Sequence, residues 1–263
     1  MAAAFPPSLL SSKRVYEIIE DFDCSDDSDD DIDILKDLLE EERGGDPRLV
    51  HTDIGCPEDY YECCVSTIPH STWPPMRPLA FAALRGKNVI VQYLIDEHRA
   101  EVEHQTRIKQ TALHLAACTT RDNVVTSLLQ RGANPMALDY AERTPLHYSI
   151  IDVIDVEDDV DNEIDAIKVV KALLDTCDDP IHINHMDCDS FTALSLAGMS
   201  GCASIVSELV SRGTDWTVRK CDTYPYPVTN HVERLSRLFE DNCVAVMEVS
   251  KRVYVLHKRQ TTH

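Results

Sequence analysis

The chain has 263 residues, with 46 acidic side chains against 25 basic ones and a formal net charge of −21. That length suits one large domain or two small ones. So acidic a balance argues against nucleic acid or an anionic membrane as partner, since phosphates ask for clustered Lys and Arg, and no apolar run approaches the ~18 residues of a membrane span.

The charge is uneven along the chain. Between Glu17 and Arg43 fourteen acids face two bases, Lys36 and Arg43. Residues 1–46 are therefore read as an acidic, largely disordered extension with short helices, one of them running through Ile34, Leu35, Leu38 and Leu39. Ser28, followed by Asp29, Asp30 and Asp31, has the context that acid-directed kinases of the casein kinase 2 type favour. A phosphate there would make Ser25 a second acceptor. Residues 47–70 are rich in turns and carry Tyr60, Tyr61, Cys63 and Cys64, as a capping segment would.

A repeat begins near residue 71. Leu79, Leu113, Leu146 and Leu194 stand in matching contexts, among them Thr111-Ala-Leu-His-Leu-Ala-Ala117 and Thr144-Pro-Leu-His-Tyr-Ser-Ile150. Eleven residues after each of the first two leucines and the last comes a β-branched pair, and then a second apolar doublet: Ile90-Val91 with Leu94-Ile95, Val124-Val125 with Leu128-Leu129, Ile205-Val206 with Leu209-Val210. Val169-Val170 with Leu173-Leu174 falls into phase once the second acidic tract, eight acids and no base in 152–165, is taken as an insertion. The spacing predicts two short antiparallel helices per unit, each with one apolar face. Gly132 and Gly213 follow second helices, where a left-handed residue ends the helix. One such pair cannot cover its own apolar surface, so copies must stack. The units run about 71–104, 105–137, 138–184 and 185–217, with a degenerate closing unit at 218–242 and a tail at 243–263 that suits a hairpin or a helix.

These motifs closely resemble the ankyrin repeat, with its T-P-L-H-x-A-A, V-V-x-x-L-L and G-A signature. The resemblance implies an all-α solenoid of helix-turn-helix units joined by β-hairpin-like turns. The turn pattern D-x-x-G-x-T keeps Asp139 and Asp187, but Lys109, Glu142 and Ser190 replace its glycine, and Ser195 replaces the motif histidine of the fourth unit. His114 and His147, the motif histidines, are expected to bridge neighbouring repeats.

The resemblance further implies a non-enzymatic scaffold or adaptor, binding a partner protein on a concave face made of hairpin tips and first helices. The positions expected to meet the partner include Arg85, Arg107, Gln110, Tyr140, Arg143, Ile151, Phe191 and Met199, with Leu84 and Cys118 beside them. Tyr140, Arg143 and Phe191 are the expected hot spots. A monomer is expected, with a basic patch on the partner as one option. An acidic, serine-bearing extension before ankyrin repeats is similar in layout to the inhibitors of Rel/NF-κB transcription factors, although Asp23-Cys-Ser-Asp-Asp-Ser28 lacks the glycine of their D-S-G-x-x-S motif. A substrate adaptor for a ubiquitin ligase is the other alternative.

Catalytic and metal chemistry find little footing. There is no G-x-S-x-G and no Walker loop, and eight glycines are few for a phosphate cradle. His51, Cys56, Cys63, Cys64 and His70 match no short zinc knuckle, and Cys177, His182, His185 and Cys188 fall around a repeat hairpin. Asp29, Asp31, Asp33 and Glu40 imitate a calcium loop but place Ile34 where glycine is required. No cofactor and no resident metal is therefore expected. The ten cysteines are scattered, as free thiols of a cytoplasmic or nuclear protein would be.

Overall fold

A computed structural model describes residues 14–15, 17–19, 33, 35–37, 39–40, 46–52, 76–151, 160–177, 179–189, 191–200 and 202–214. They divide into two compact units, Met1–Asn134 and Pro135–His263. The described residues are helical apart from turns and isolated bridge residues, Met76 and the antiparallel pair Met186 with Thr192.

The first unit holds two helix pairs: α1 (Pro78–Leu84) with α2 (Asn88–Asp96), and α3 (Ala112–Cys118) with α4 (Asp122–Gln130). Proline at the first position of α1 costs no hydrogen bond, because that N–H has no helical partner in any case. α1 packs on α2 and α3, α3 on α4, and α2 on α4, so each pair covers the apolar face of the other. Leu79 and Leu113 are buried at the centre, with Ile90, Val91 and Leu94 from α2 and Val124, Val125 and Leu128 from α4. A 3₁₀ turn, Pro47–His51, is capped by the Asp46 carboxylate and packs on α1 through this end of the expected capping segment. The rest of 47–70 lies outside the described residues.

The extension differs from a solvated tail where it is described. Val15, Ile19, Leu35 and Leu39 are fully buried, as two i, i+4 apolar pairs on helical stretches. The Tyr93 hydroxyl of α2 donates to Glu40 Oε1 at 3.0 Å.

The second unit repeats the plan with α5 (Pro145–Ile151), α6 (Val160–Thr176), a single turn α7 (Pro180–Ile183), α8 (Ala193–Ser200) and α9 (Ala203–Ser211). α5 packs on α6 and α8, and α9 on α6 and α8. Leu146, Val169, Val170, Leu173, Leu194, Ile205, Val206 and Leu209 form its core. α6 has 17 residues where the other second helices have nine. The described end of the insertion thus adds turns to the second helix of its repeat. Residues 152–159, the closing unit at 218–242 and the tail at 243–263 lie outside the described residues.

Candidate functional site

Each repeat hairpin is built on one buried side chain. Asp139 Oδ1 accepts from the backbone N–H groups of Ala141 and Arg143, both at 2.8 Å, and Asp187 Oδ1 from those of Asp189 and Phe191 at 3.0 and 2.8 Å. In the second repeat, in the first unit, Thr106 takes this place, its hydroxyl accepting from the Gln110 N–H at 3.2 Å. In all three hairpins the first residue donates its N–H to the carbonyl of the fifth: Thr106 to Gln110 at 2.9 Å, Asp139 to Arg143 at 3.0 Å, Asp187 to Phe191 at 2.9 Å. In the second and third repeats the fourth residue is left-handed. Lys109 has φ 62° and Glu142 φ 58°, so the missing glycines leave ordinary side chains in strained backbone.

Register decides what each hairpin residue can touch. The second residue, Arg107, Tyr140 or Cys188, is exposed every time. The fifth, Gln110, Arg143 or Phe191, pairs across the hairpin and turns inward. Gln110 is only 3% exposed, which removes it from the expected partner contacts. The Arg143 side chain is 15% exposed, with Nε 3.2 Å from Asp187 Oδ2 and a terminal nitrogen 3.6 Å from Asp189. Burial opposes its charge, yet Asp187 beside it holds the guanidinium above its ordinary range. Arg143 is thus a strut between two hairpins and not a free hot spot. Phe191, Arg85 and Ile151 are half-buried, and Arg107 is exposed. Leu84 and Cys118 are buried in the first unit, contrary to expectation. The side chain of Met199, together with Ser25 and Ser28, lies outside the described residues.

The third and fourth hairpins are fastened to each other. The Cys188 N–H donates to the Ala141 carbonyl at 2.9 Å and His185 Nε2 to the Glu142 carbonyl at 2.8 Å. Deeper in, the Thr144 N–H donates to His147 Nδ1 at 3.3 Å, and His147 Nε2 reaches the Phe191 carbonyl at 3.1 Å. These contacts fix the tautomer: a ring nitrogen facing a carbonyl must carry the proton, leaving Nδ1 to accept. Burial pushes His147 down to about 4, so it is neutral at pH 7. His114 shares the local half of this device, capping α3 through Thr111. Outside the hairpins, Arg131 makes a two-point ion pair with Asp96, and Arg212 meets Asp175 and Glu208, so the Arg of each R-G motif reaches back to the preceding second helix.

Fastening the hairpins leaves apolar groups outside. Tyr140 is 78% exposed and Met186 57%, with Leu138 beside them. Sequence reasoning found Tyr140 but missed Leu138 and Met186, the residues just before Asp139 and Asp187, which alternation along the hairpin turns to the same outer side. Among the described residues no group of three or more His, Cys, Asp or Glu side chains could hold a metal. Burial lowers the pKa of His182, with the backbone of Cys177 and Pro135 working the other way. His185 is engaged with Glu142, so the residues of the second zinc candidate do not assemble. Of the first, only His51 is described, and of the calcium-like set only Asp33 and Glu40. No described helix is long and apolar enough to cross a membrane.

Stacked helix pairs that hold capped hairpins out to solvent define a helical-repeat module for protein–protein interaction. The chain belongs to the ankyrin-repeat family. The family model described as Ankyrin repeats (3 copies) matches residues 28–139 and 79–156. Its relatives include the B-cell lymphoma 3 protein of Homo sapiens, 30% identical over 142 residues, 52% of this chain and 29% of that protein. The NF-kappa-B inhibitor alpha of Mus musculus is 30% identical over 120 residues, 44% of this chain and 34% of the relative. The chain thus spans about a third of the length of the curated relatives it matches.

Proposed function

We propose that this chain is a non-enzymatic module that binds another protein through its hairpin tips and the adjoining faces of its first helices. The observation that carries this reading is the pair Tyr140 and Met186, large apolar side chains exposed on hairpins locked to each other by backbone and ion-pair contacts. An aromatic side chain on a rigid support loses little entropy on association, and such anchors carry much of the energy of protein interfaces. Arg85, Arg107, Ile151, Phe191 and Met199 are the further proposed contacts. Affinity capture from cell extract with quantitative mass spectrometry tests it. Partners retained by the native chain are expected to be lost from a Tyr140→Ala, Met186→Ala variant of unchanged thermal midpoint; an identical captured set would refute it.

A second reading is favoured by the match to NF-kappa-B inhibitor alpha: an inhibitor of a Rel-type transcription factor, acting in cytoplasm or nucleus as a monomer. Co-sedimentation with a purified Rel-type dimer is the test, and free sedimentation of both at micromolar concentration would end it. Under either reading, phosphorylation of Ser28 and then Ser25 adds roughly −1.5 to −2 charges each, strengthening attraction to a basic patch on the partner. Incubation with an acid-directed kinase and intact-mass analysis checks this, with an unchanged mass as the negative result.

A further inference from the structure

The tips of the third and fourth repeats are apolar and negative at once. Leu138, Tyr140 and Met186 are exposed. Glu142 and Asp189 are exposed beside them, while Asp139 and Asp187 are buried beneath the hairpin N–H groups, and the one base, Arg143, is held by Asp187 and Asp189. The fitting occupant carries large apolar side chains between cations, because apolar contact supplies affinity while opposite charge fixes register.

The chain itself contains such a stretch. Residues 251–259 read Lys-Arg-Val-Tyr-Val-Leu-His-Lys-Arg: two bases, four apolar side chains, a histidine and two bases. Thirty-six residues separate it from Thr214, the last described position. With 218–242 taken as the expected closing unit, the remaining eleven residues still extend roughly 36 Å at ~3.3 Å each, more than twice the radius of gyration of a small domain, so tether length does not limit reach within the second unit. We propose that residues 251–259 dock on the Leu138–Tyr140–Met186 platform as an internal ligand, which an outside protein must displace. This concerns the same hairpins as the functional reading, but its test needs no partner, so either can fail alone.

The probe is a fluorescent synthetic peptide with the sequence of residues 251–259, followed by anisotropy. The acceptors are the full-length native chain and a full-length variant carrying Lys251→Ser, Arg252→Ser, Lys258→Ser and Arg259→Ser. The variant, its platform vacated, is expected to bind the peptide at least tenfold more tightly than the native chain. Adding Tyr140→Ser and Met186→Ser to it is expected to abolish binding, and Met186→Gln alone serves should that combination not fold. Equal affinity for both acceptors, or no binding by the variant, would overturn the proposal. Binding that survives the platform substitutions would assign the peptide to the acidic tracts and overturn it equally.

Discussion

His147→Ser is a substitution whose outcome the protein already illustrates. The fourth repeat has Ser195 at the corresponding position. Its hydroxyl accepts the Thr192 N–H at 2.8 Å, and the Ser195 N–H returns to the Thr192 hydroxyl at 3.2 Å. Serine at 147 is therefore expected to keep the cap of α5 and lose only the reach to the Phe191 carbonyl. The Phe191 carbonyl keeps the Asp187 N–H, so one hydrogen bond is lost and no acceptor is orphaned, a cost of ~0.5–1.5 kcal/mol. The space left by the ring adds ~1 kcal/mol at ~24 cal/mol per Å³ of cavity, so the variant is expected to lose about 1.5–2.5 kcal/mol at pH 7.5. The same group sets a pH dependence. Its pKa is about 4 in the fold and ~6.5 in the unfolded chain. As pH falls from 6.5 towards 4 the unfolded chain takes a proton that the fold refuses, and stability drops by ~1.4 kcal/mol per pH unit. Serine does not titrate, so the gap between native chain and variant is expected to narrow by ~2 kcal/mol at pH 5. Urea unfolding followed by circular dichroism at the two pH values measures both effects. An unchanged midpoint at pH 7.5, or one gap at both pH values, would refute the assigned bridge.

Three further substitutions bear on the fold and the site. Leu146→Ala removes a fully buried core leucine and is expected to cost ~2–5 kcal/mol by thermal or urea unfolding, the fourth repeat losing protection along with the third. Glu142→Gly relieves a side chain at φ 58° and is expected to raise stability by ~0.5–1 kcal/mol, since glycine tolerates the left-handed region at the cost of a more flexible unfolded chain. Arg143→Ala leaves the buried Asp187 carboxylate without its counter-charge and is expected to cost ~1–3 kcal/mol in stability, whereas Tyr140→Ala stays within ~0.5 kcal/mol of native and weakens partner capture instead. Equal thermal midpoints for those two variants would return Arg143 to the surface.

The core was legible because burial follows period. Leu79, Leu113, Leu146 and Leu194, with the β-branched stripes of the second helices, occupy positions that a stacked helix pair has to bury, and all four leucines are inside. Gly132 and Gly213 were legible for a similarly local reason, and both are left-handed, at φ 86° and 88°. What stayed hidden depends on residues far apart in sequence. Arg143 reads as an exposed tip residue until Asp187, 44 positions on, takes its guanidinium. Gln110 turns inward by its place in the hairpin, which composition does not reveal. The i, i+4 pair Val15 with Ile19 was masked by the acids around it, and the helix through Leu35 and Leu39 was legible while its burial was not, because the net charge suggested a solvated extension. Met186 was passed over because it precedes the motif instead of standing in it.

The central claim is that hairpin tips carry the binding. Hydrogen–deuterium exchange of the chain alone and with a captured partner tests it most directly. Slowed exchange over 105–110, 138–143 and 185–191, with the second helices unchanged, is the expected result. Protection confined to α2, α4 and α9, with the hairpins exchanging as in the free chain, would contradict it.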